Sequence, residues 1–151
     1  MKKKALHIIG ASDYLDLPEF NLENVPCKID SGAYSSTIHC SKIWLLEQGE
    51  QLYLCFKLND KKFGISTRKT YKYRNFSTRK VRSSNGEMDE RYAIKTTAIL
   101  FGTKINIEFT LTSREKMKFP ILLGRRVLRK RFLIDVSQKN LSYHLKNETA
   151  P

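Results

Sequence analysis

A chain of 151 residues and 17.6 kDa is long enough for one domain that buries about two-thirds of its unfolded surface. Hydrophobic residues make up 40% of it and aromatics 11%. That excludes a disordered chain, and no apolar run nears the ~18 residues of a membrane helix. The net charge of +13 points to anionic partners: nucleic acid, ribosomes or acidic protein segments.

In chain order, Lys2, Lys3 and Lys4 precede Ala5-Leu-His-Ile-Ile-Gly10. This stretch is too short for a signal peptide, is interrupted by His7 and has no cleavage site, so it reads as a first strand behind a solvated basic end. Val25, Cys27 and Ile29 alternate with more polar neighbours up to a break at Asp30-Ser31-Gly32. Ser41 is placed to cap a short helix through Trp44 to Gln48, ended by Gly49. Leu52, Leu54, Phe56 and Leu58 have the period of a half-buried strand. Asn59-Asp60 then turns the chain into a returning strand over residues 61–67.

Residues 69–76 and 78–82 form weaker, charge-dominated strands. Ser83-Ser84-Asn85-Gly86 is a hairpin turn, because Asn-Gly readily takes positive φ. Residues 91–101 and 104–112 pair across Gly102-Thr103. A short helix is predicted over 125–130, then strands through Phe132, Ile134 and Val136 and over 141–145, and a frayed tail over 147–151. The sum is one all-β, mostly antiparallel domain spanning 1–151. Phe109, Leu111, Phe119, Ile121 and Leu122 read as core, and Trp44 as a hydrophobic plug. Three cysteines, Cys27, Cys40 and Cys55, with no CxxC spacing, fit buried free thiols in a reducing cytoplasm.

The chemical signal is the acid at the end of the Val25–Ile29 strand. An aspartate in a Gly-containing turn sits close to backbone N–H groups. Ile121-Leu-Leu-Gly124 can supply the strand that supports such a loop from behind. Aspartic peptidases use two carboxylates sharing one proton, because like charges about 3 Å apart do not both ionise. Ser31 offers a small hydroxyl to a supporting network, and Gly32 lets backbone N–H groups approach the carboxylate. This chain holds one Asp-Ser-Gly, and Asp135 has no Gly turn after it, so a dyad requires Asp30 from each of two subunits across a two-fold axis. Metal hydrolysis needs three ligands and an open position. His7, His39 and His144 are scattered, no HExxH or GxxxxGK[ST] occurs, and Cys27 or Cys40 with His39 lacks an orienting partner. No cofactor is expected.

Cys27-Lys-Ile-Asp-Ser-Gly-Ala-Tyr-Ser-Ser-Thr-Ile-His39, Val81-Arg-Ser-Ser-Asn-Gly86, Leu111-Thr-Ser-Arg114 through Gly124-Arg125-Arg126, and Phe132-Leu-Ile-Asp135 resemble, in order, the retropepsins. The fuller likeness is to a bacterial retropepsin-like family often labelled "ATP-dependent zinc protease" and grouped with a ribosomal-protein glutamate ligase. The resemblance covers about residues 20–137. It implies a single-lobe, closed β-barrel with one or two short helices, acting as a homodimer, with Asp30 as the catalytic acid supported by Ser31 and Gly32. It also implies a substrate cleft lined by Ala33 and overhung by a flap at Ser83, Ser84, Asn85 and Gly86. Many relatives carry Thr at the place of Ser31. Retroviral members carry an acid where this chain has Tyr34, which removes an ion pair with Arg125.

Three readings stand side by side. One is an aspartic endopeptidase taking peptide or protein substrates, with acidic ones favoured by the basic surface. Another is a non-catalytic module binding RNA or ribosomes through residues 68–82, where Arg68, Lys69, Lys72, Arg74, Arg79, Lys80 and Arg82 interleave with Tyr71, Tyr73 and Phe76. The third is a silent dimeric scaffold. Each has a bland counterpart: a turn aspartate that caps its own loop, and a solvated hairpin that binds nothing.

Overall fold

A computed structural model describes residues 5–83 and 85–149. Its frame is the long hairpin of β9 (Met88–Leu100) and β10 (Thr103–Thr112). Ile94, Thr96, Ala98 and Leu100 bury one face of β9, and Ile105, Ile107, Phe109 and Leu111 one face of β10, as a period of two dictates. Leu100 pairs with Thr103, so the loop has two residues. Phe101 (φ 51°) and Gly102 (φ 69°) supply the two successive positive φ angles that match a hairpin's twist.

Around this hairpin the sheet closes. β2 (Ser12–Leu17), β3 (Leu22–Ile29), β4 (Ser36–His39) and β11 (Ile121–Leu123) give the neighbour order β10-β4-β11-β3-β2-β9. The β9–β10 pairing returns the ring to its start. Six strands thus form a closed, mostly antiparallel barrel, and closure removes the unpaired edges that an open sheet would expose. β8 (Ser77–Arg82) extends β9 outward as a second hairpin. β1 (His7–Ile9) and β12 (Phe132–Ile134) pair in parallel as a separate two-stranded sheet.

The third sheet departs from expectation. Residues 41–48 are not a helix but β5 (Lys42–Gln48), paired along its whole length with β6 (Gln51–Lys57). Ile43 and Trp44 suit a pleated surface, and Gly49 at φ 64° makes the hairpin rather than a helix stop. Ser41 donates to Asn59 Oδ1 at 3.0 Å and caps nothing. Trp44 is half-buried with Lys42 Nζ 4.6 Å over its ring.

The strand returning beside β6 is β7 (Thr70–Tyr73), not residues 61–67. Asp60 accepts the Lys62 N–H at 2.9 Å and turns Lys61–Phe63 into a 3-10 helix. This sheet joins the main core through Leu54, Phe56 and Tyr71; the Phe20 ring meets the Phe56 ring at 5.9 Å and the Tyr71 ring at 4.8 Å.

Two helices follow β11: α1 (Arg125–Leu128) and, where a strand over 141–145 was expected, α2 (Leu141–Thr149). The buried Asp13 carboxylate explains α2. It accepts the N–H groups of Ser142 (2.9 Å) and Tyr143 (3.1 Å), donors that a helix's first turn leaves unpaired. The three cysteines are free and buried. Burial pushes the Cys27 and Cys40 thiols well above the ordinary thiol range. Among the described residues no helix is long and apolar enough to cross a membrane.

Candidate active site

The position of Asp30 follows from one topological fact. β3 and β4 are consecutive in the chain, yet β11 lies between them, parallel to β3 and antiparallel to β4. The loop joining β3 to β4 must therefore cross the end of β11, and Asp30 begins that crossing. Its N–H donates to the Leu123 carbonyl at 2.9 Å, and its Oδ1 accepts the Gly32 N–H at 2.9 Å.

The start of α1 clamps the rest of the loop. A helix's first N–H groups have no partner within the helix. Here Arg125 N–H donates to Ala33 O at 2.8 Å and Arg126 N–H to Tyr34 O at 3.1 Å. Gly124 N–H donates to Ser36 Oγ at 3.1 Å. A Cβ on Gly124 would lie 2.5 Å from Ser35 O and 2.8 Å from Tyr34 O, so only glycine permits this approach. Beneath the loop, Thr37 and Thr110 hydroxyls meet at 2.9 Å, both buried. A desolvated hydroxyl pair of this kind is costly to break and holds the strands in register. Arg125 Nη1 donates to Ser31 O at 3.0 Å, and its guanidinium lies 5.7 Å from the Tyr34 ring. The arginine thus engages the loop although Tyr34 replaces the acid.

Asp30 opens onto a cleft of about 700 Å³. Ala33, Thr37 and Leu122 line its inner wall and Lys80, Val81, Arg82 and Ser83 its outer one. Leu122 and Phe119 are half-buried rather than core, and Leu122 faces this cleft. Among the described residues the lining holds six cationic side chains, Lys28, Lys80, Arg82, Arg91, Arg114 and Arg125, against one carboxylate, Asp30. The basic stretch 68–82 is therefore not one surface. Lys80 and Arg82 line the cleft, whereas Lys72, Arg74 and Arg79 line a separate groove with Glu19. Arg79 is further committed to a two-point ion pair with Glu108 at 3.0 and 3.1 Å.

The β8–β9 turn is hydrogen-bonded from Gly86 N–H to Ser83 O at 2.9 Å, with Gly86 at φ 86°. Ser83 lines the cleft, Asn85 and Gly86 sit at the exposed tip outside it, and Ser84 lies outside the described residues. The exposed Ser31 hydroxyl has no hydrogen-bond partner among the described residues. Asp135 stands elsewhere, its carboxylate held by Ser137 N–H (3.0 Å), Ser137 Oγ (2.6 Å) and Gln138 Nε2 (2.9 Å). Those hydrogen bonds hold it below the usual carboxylate range.

The 113–119 loop forms the far wall, and two anchors fix it. His39 Nδ1 accepts the Arg114 N–H at 2.8 Å, so the neutral ring keeps its proton on Nε2. Nε2 lies 2.9 Å from Asp60 Oδ2, a close contact without linear hydrogen-bond geometry. Burial lowers the His39 pKa, and the nearby Asp60 charge opposes that shift. Lys62 Nζ donates to Glu115 O (2.7 Å) and Met117 O (2.8 Å). His39 read as a scattered histidine in the sequence; its partners are 21 and 75 residues away and leave no local signal.

A closed barrel with an Asp-Ser-Gly loop crossing a Leu-Leu-Gly strand defines the class of retropepsin-like proteins. The family described as "Retropepsin-like aspartic endopeptidase RimB" matches residues 8–144, and the chain belongs to that family. Curated relatives named "Probable alpha-L-glutamate ligase" include one from Shewanella halifaxensis, 29% identical over 87% of this chain. Another, from Parasynechococcus marenigrum, is 30% identical over 85%. The matched region is 29% and 28% of those proteins, so the chain spans under a third of their length. A solved structure of a Legionella pneumophila protein of unknown function shares the fold, with a TM-score of 0.70 and 23% identity over 91% of this chain and 99% of that one.

Proposed function

We propose that the protein is an aspartic endopeptidase that acts as a homodimer on acidic, glutamate-rich peptides. The observation that carries this is Asp30: one carboxylate, on a loop fixed by three backbone–backbone hydrogen bonds around Leu123–Arg126 and by Gly124 N–H on Ser36 Oγ, opening onto a cationic cleft that offers it no second acid among the described residues. In the dimer the two Asp30 groups share a proton. One activates water for attack on the peptide carbonyl while the other donates a hydrogen bond to the carbonyl oxygen.

The +13 charge opposes self-association, so the contact requires local apolar surface. The β1–β12 sheet offers it: Ile8 and Leu133 are register partners exposed by 51% and 56%. Ala11, which leads from β1 into β2, accepts the Ile29 N–H at 3.0 Å, so this sheet leaves the barrel beside Asp30. The glutamate-rich character rests on the cleft's charge, and on relatives whose name concerns glutamate.

The test is hydrolysis of a glutamate-rich peptide by the wild-type protein and by Asp30→Asn. The Asn side chain retains an oxygen for the Gly32 N–H, so the fold survives while the rate falls by more than about a hundredfold. Equal hydrolysis by the two proteins would refute the assignment. A cellular role that survives Asp30→Asn would instead mark a basic binding or scaffold module for RNA, ribosomes or a partner enzyme.

A further inference from the structure

The six cations of the cleft are not equivalent. Lys28, Lys80, Arg82 and Arg125 are exposed to water. Arg114 and Arg91 do not. Arg114 is 8% exposed and the Arg91 side chain 14%, and a guanidinium stays protonated at any working pH. Each lacks what a desolvated cation needs. Arg114 spends its Nε on Phe119 O at 3.0 Å, which staples the 113–119 loop, and its terminal nitrogens, without a hydrogen-bond partner among the described residues, open to the cleft. Arg91 reaches only Asp89, at 3.4 Å, a carboxylate half in water, and its buried Nε has no partner. The two also act on each other: burial and the Arg91 charge both press the Arg114 pKa down, and Asp30 pulls it back.

Two guanidinium groups largely withdrawn from water line one cleft, one on β9 and one on the 113–119 loop, and make an electrostatically incomplete site. A planar carboxylate meets both deficits. It accepts N–H bonds from the terminal nitrogens of the two arginines and relieves the repulsion between like charges. A purely structural role accounts for one N–H of Arg114 and, at Arg91, for one long contact with Asp89.

We propose that Arg91 and Arg114 form a carboxylate subsite that binds one acidic side chain of the substrate beside the bond facing Asp30. This assignment rests on the proposed peptidase reading for the bond that is cut, but not for the binding itself. The exposed cations then serve to attract acidic peptides at long range, and this pair serves to choose between glutamate and its neutral isostere.

The experiment uses Asp30→Asn protein and fluorescein-labelled tetraglutamate and tetraglutamine peptides, with binding read by fluorescence anisotropy. Arg91→Met and Arg114→Met, each added to Asp30→Asn, are expected to weaken tetraglutamate binding by at least about tenfold and to leave tetraglutamine binding unchanged. Lys104→Met removes the same charge from an exposed site outside the cleft and controls for net charge, with less than about a threefold effect expected. Thermal melting checks each fold; should Arg114→Met fail to fold, Arg91→Met decides alone. Loss no greater than that of Lys104→Met, or equal loss for both peptides, overturns the subsite. If the arginine variants lose tetraglutamate selectively while the wild-type protein cleaves no glutamate peptide, the subsite stands and the peptidase reading falls. If the wild-type protein cleaves and the arginine variants bind as their parent does, the reverse holds.

Discussion

Gly124→Ala isolates the contact that holds the Asp30 loop. The backbone at this position, φ −98° and ψ −177°, suits any residue, so alanine carries no conformational penalty and the effect is steric. The new methyl would stand 2.5 Å from Ser35 O and 2.8 Å from both Ser35 C and Tyr34 O, all backbone atoms that cannot rotate away. The loop and the start of α1 must part. Parting weakens the N–H bonds from Gly124, Arg125 and Arg126. At about 1 kcal/mol each, their full loss costs about 3 kcal/mol, the upper end of the range of about 1–3 kcal/mol that overpacking costs. For a chain of this size 1 kcal/mol moves Tm by about 2–4 °C, so a fall of about 6–12 °C is expected. Urea unfolding should show a lower midpoint at unchanged slope, and amide exchange at Asp30 and Gly32 should quicken before exchange in the β9–β10 hairpin does. A Gly124→Ala protein melting within 2 °C of wild type, with slow exchange at Asp30, would refute this account of the loop.

Other parts of the fold give separate tests. The lowered His39 pKa has a definite sign: the unfolded chain takes up this proton at a higher pH than the native one. Stability linked to His39 is therefore complete above the ordinary histidine range, near pH 6.5, and is lost as pH falls below it. A proton on Nδ1 also ends its bond from Arg114 N–H, so the 113–119 loop should loosen on acidification. Melting curves between pH 7.5 and 5 should show the decline, and His39→Gln should flatten it; an equal slope in the variant contradicts the assignment. Asp13→Ala strips two N-terminal donors of α2 of their acceptor and should cost about 1–2 kcal/mol. Amide exchange should localise the loss to residues 141–149, and a loss spread over the barrel would contradict it. Phe56→Ala removes a fully buried ring that touches Tyr71 and Phe20 and should cost about 3–5 kcal/mol by urea unfolding. A cost below about 1 kcal/mol would show that the β5–β7 sheet is not part of the main core.

What the sequence made legible was local. The alternation of Ile105, Ile107, Phe109 and Leu111, the Asn-Gly turn and the Asp-Ser-Gly break each carry their geometry within a few residues, and all appear where expected. What it hid was tertiary. Leu141–Thr149 is a helix because Asp13, 128 residues earlier, caps it. Residues 61–67 fail as a strand because one side chain, Asp60, bends them. Trp44 and its neighbours were ambiguous by periodicity alone, as short apolar runs are, and pairing with β6 decided for strand. Arg91 carried no signal among the 28 Lys and Arg of a strongly basic chain, and Arg114 stood out as part of a motif but not as a cleft cation, because only withdrawal from solvent separates the two from the rest.

The proposed peptidase stands or falls on whether two Asp30 carboxylates meet. The most direct measurement is their separation in crystals of the purified protein grown at mildly acidic pH, with the assembly mass checked by sedimentation. A dimer in solution is expected, with two Asp30 carboxylates within hydrogen-bonding reach across a two-fold axis, close enough to share a proton. A protein that sediments as a monomer at all concentrations, with Asp30 far from any second acid in every crystal assembly, would contradict it.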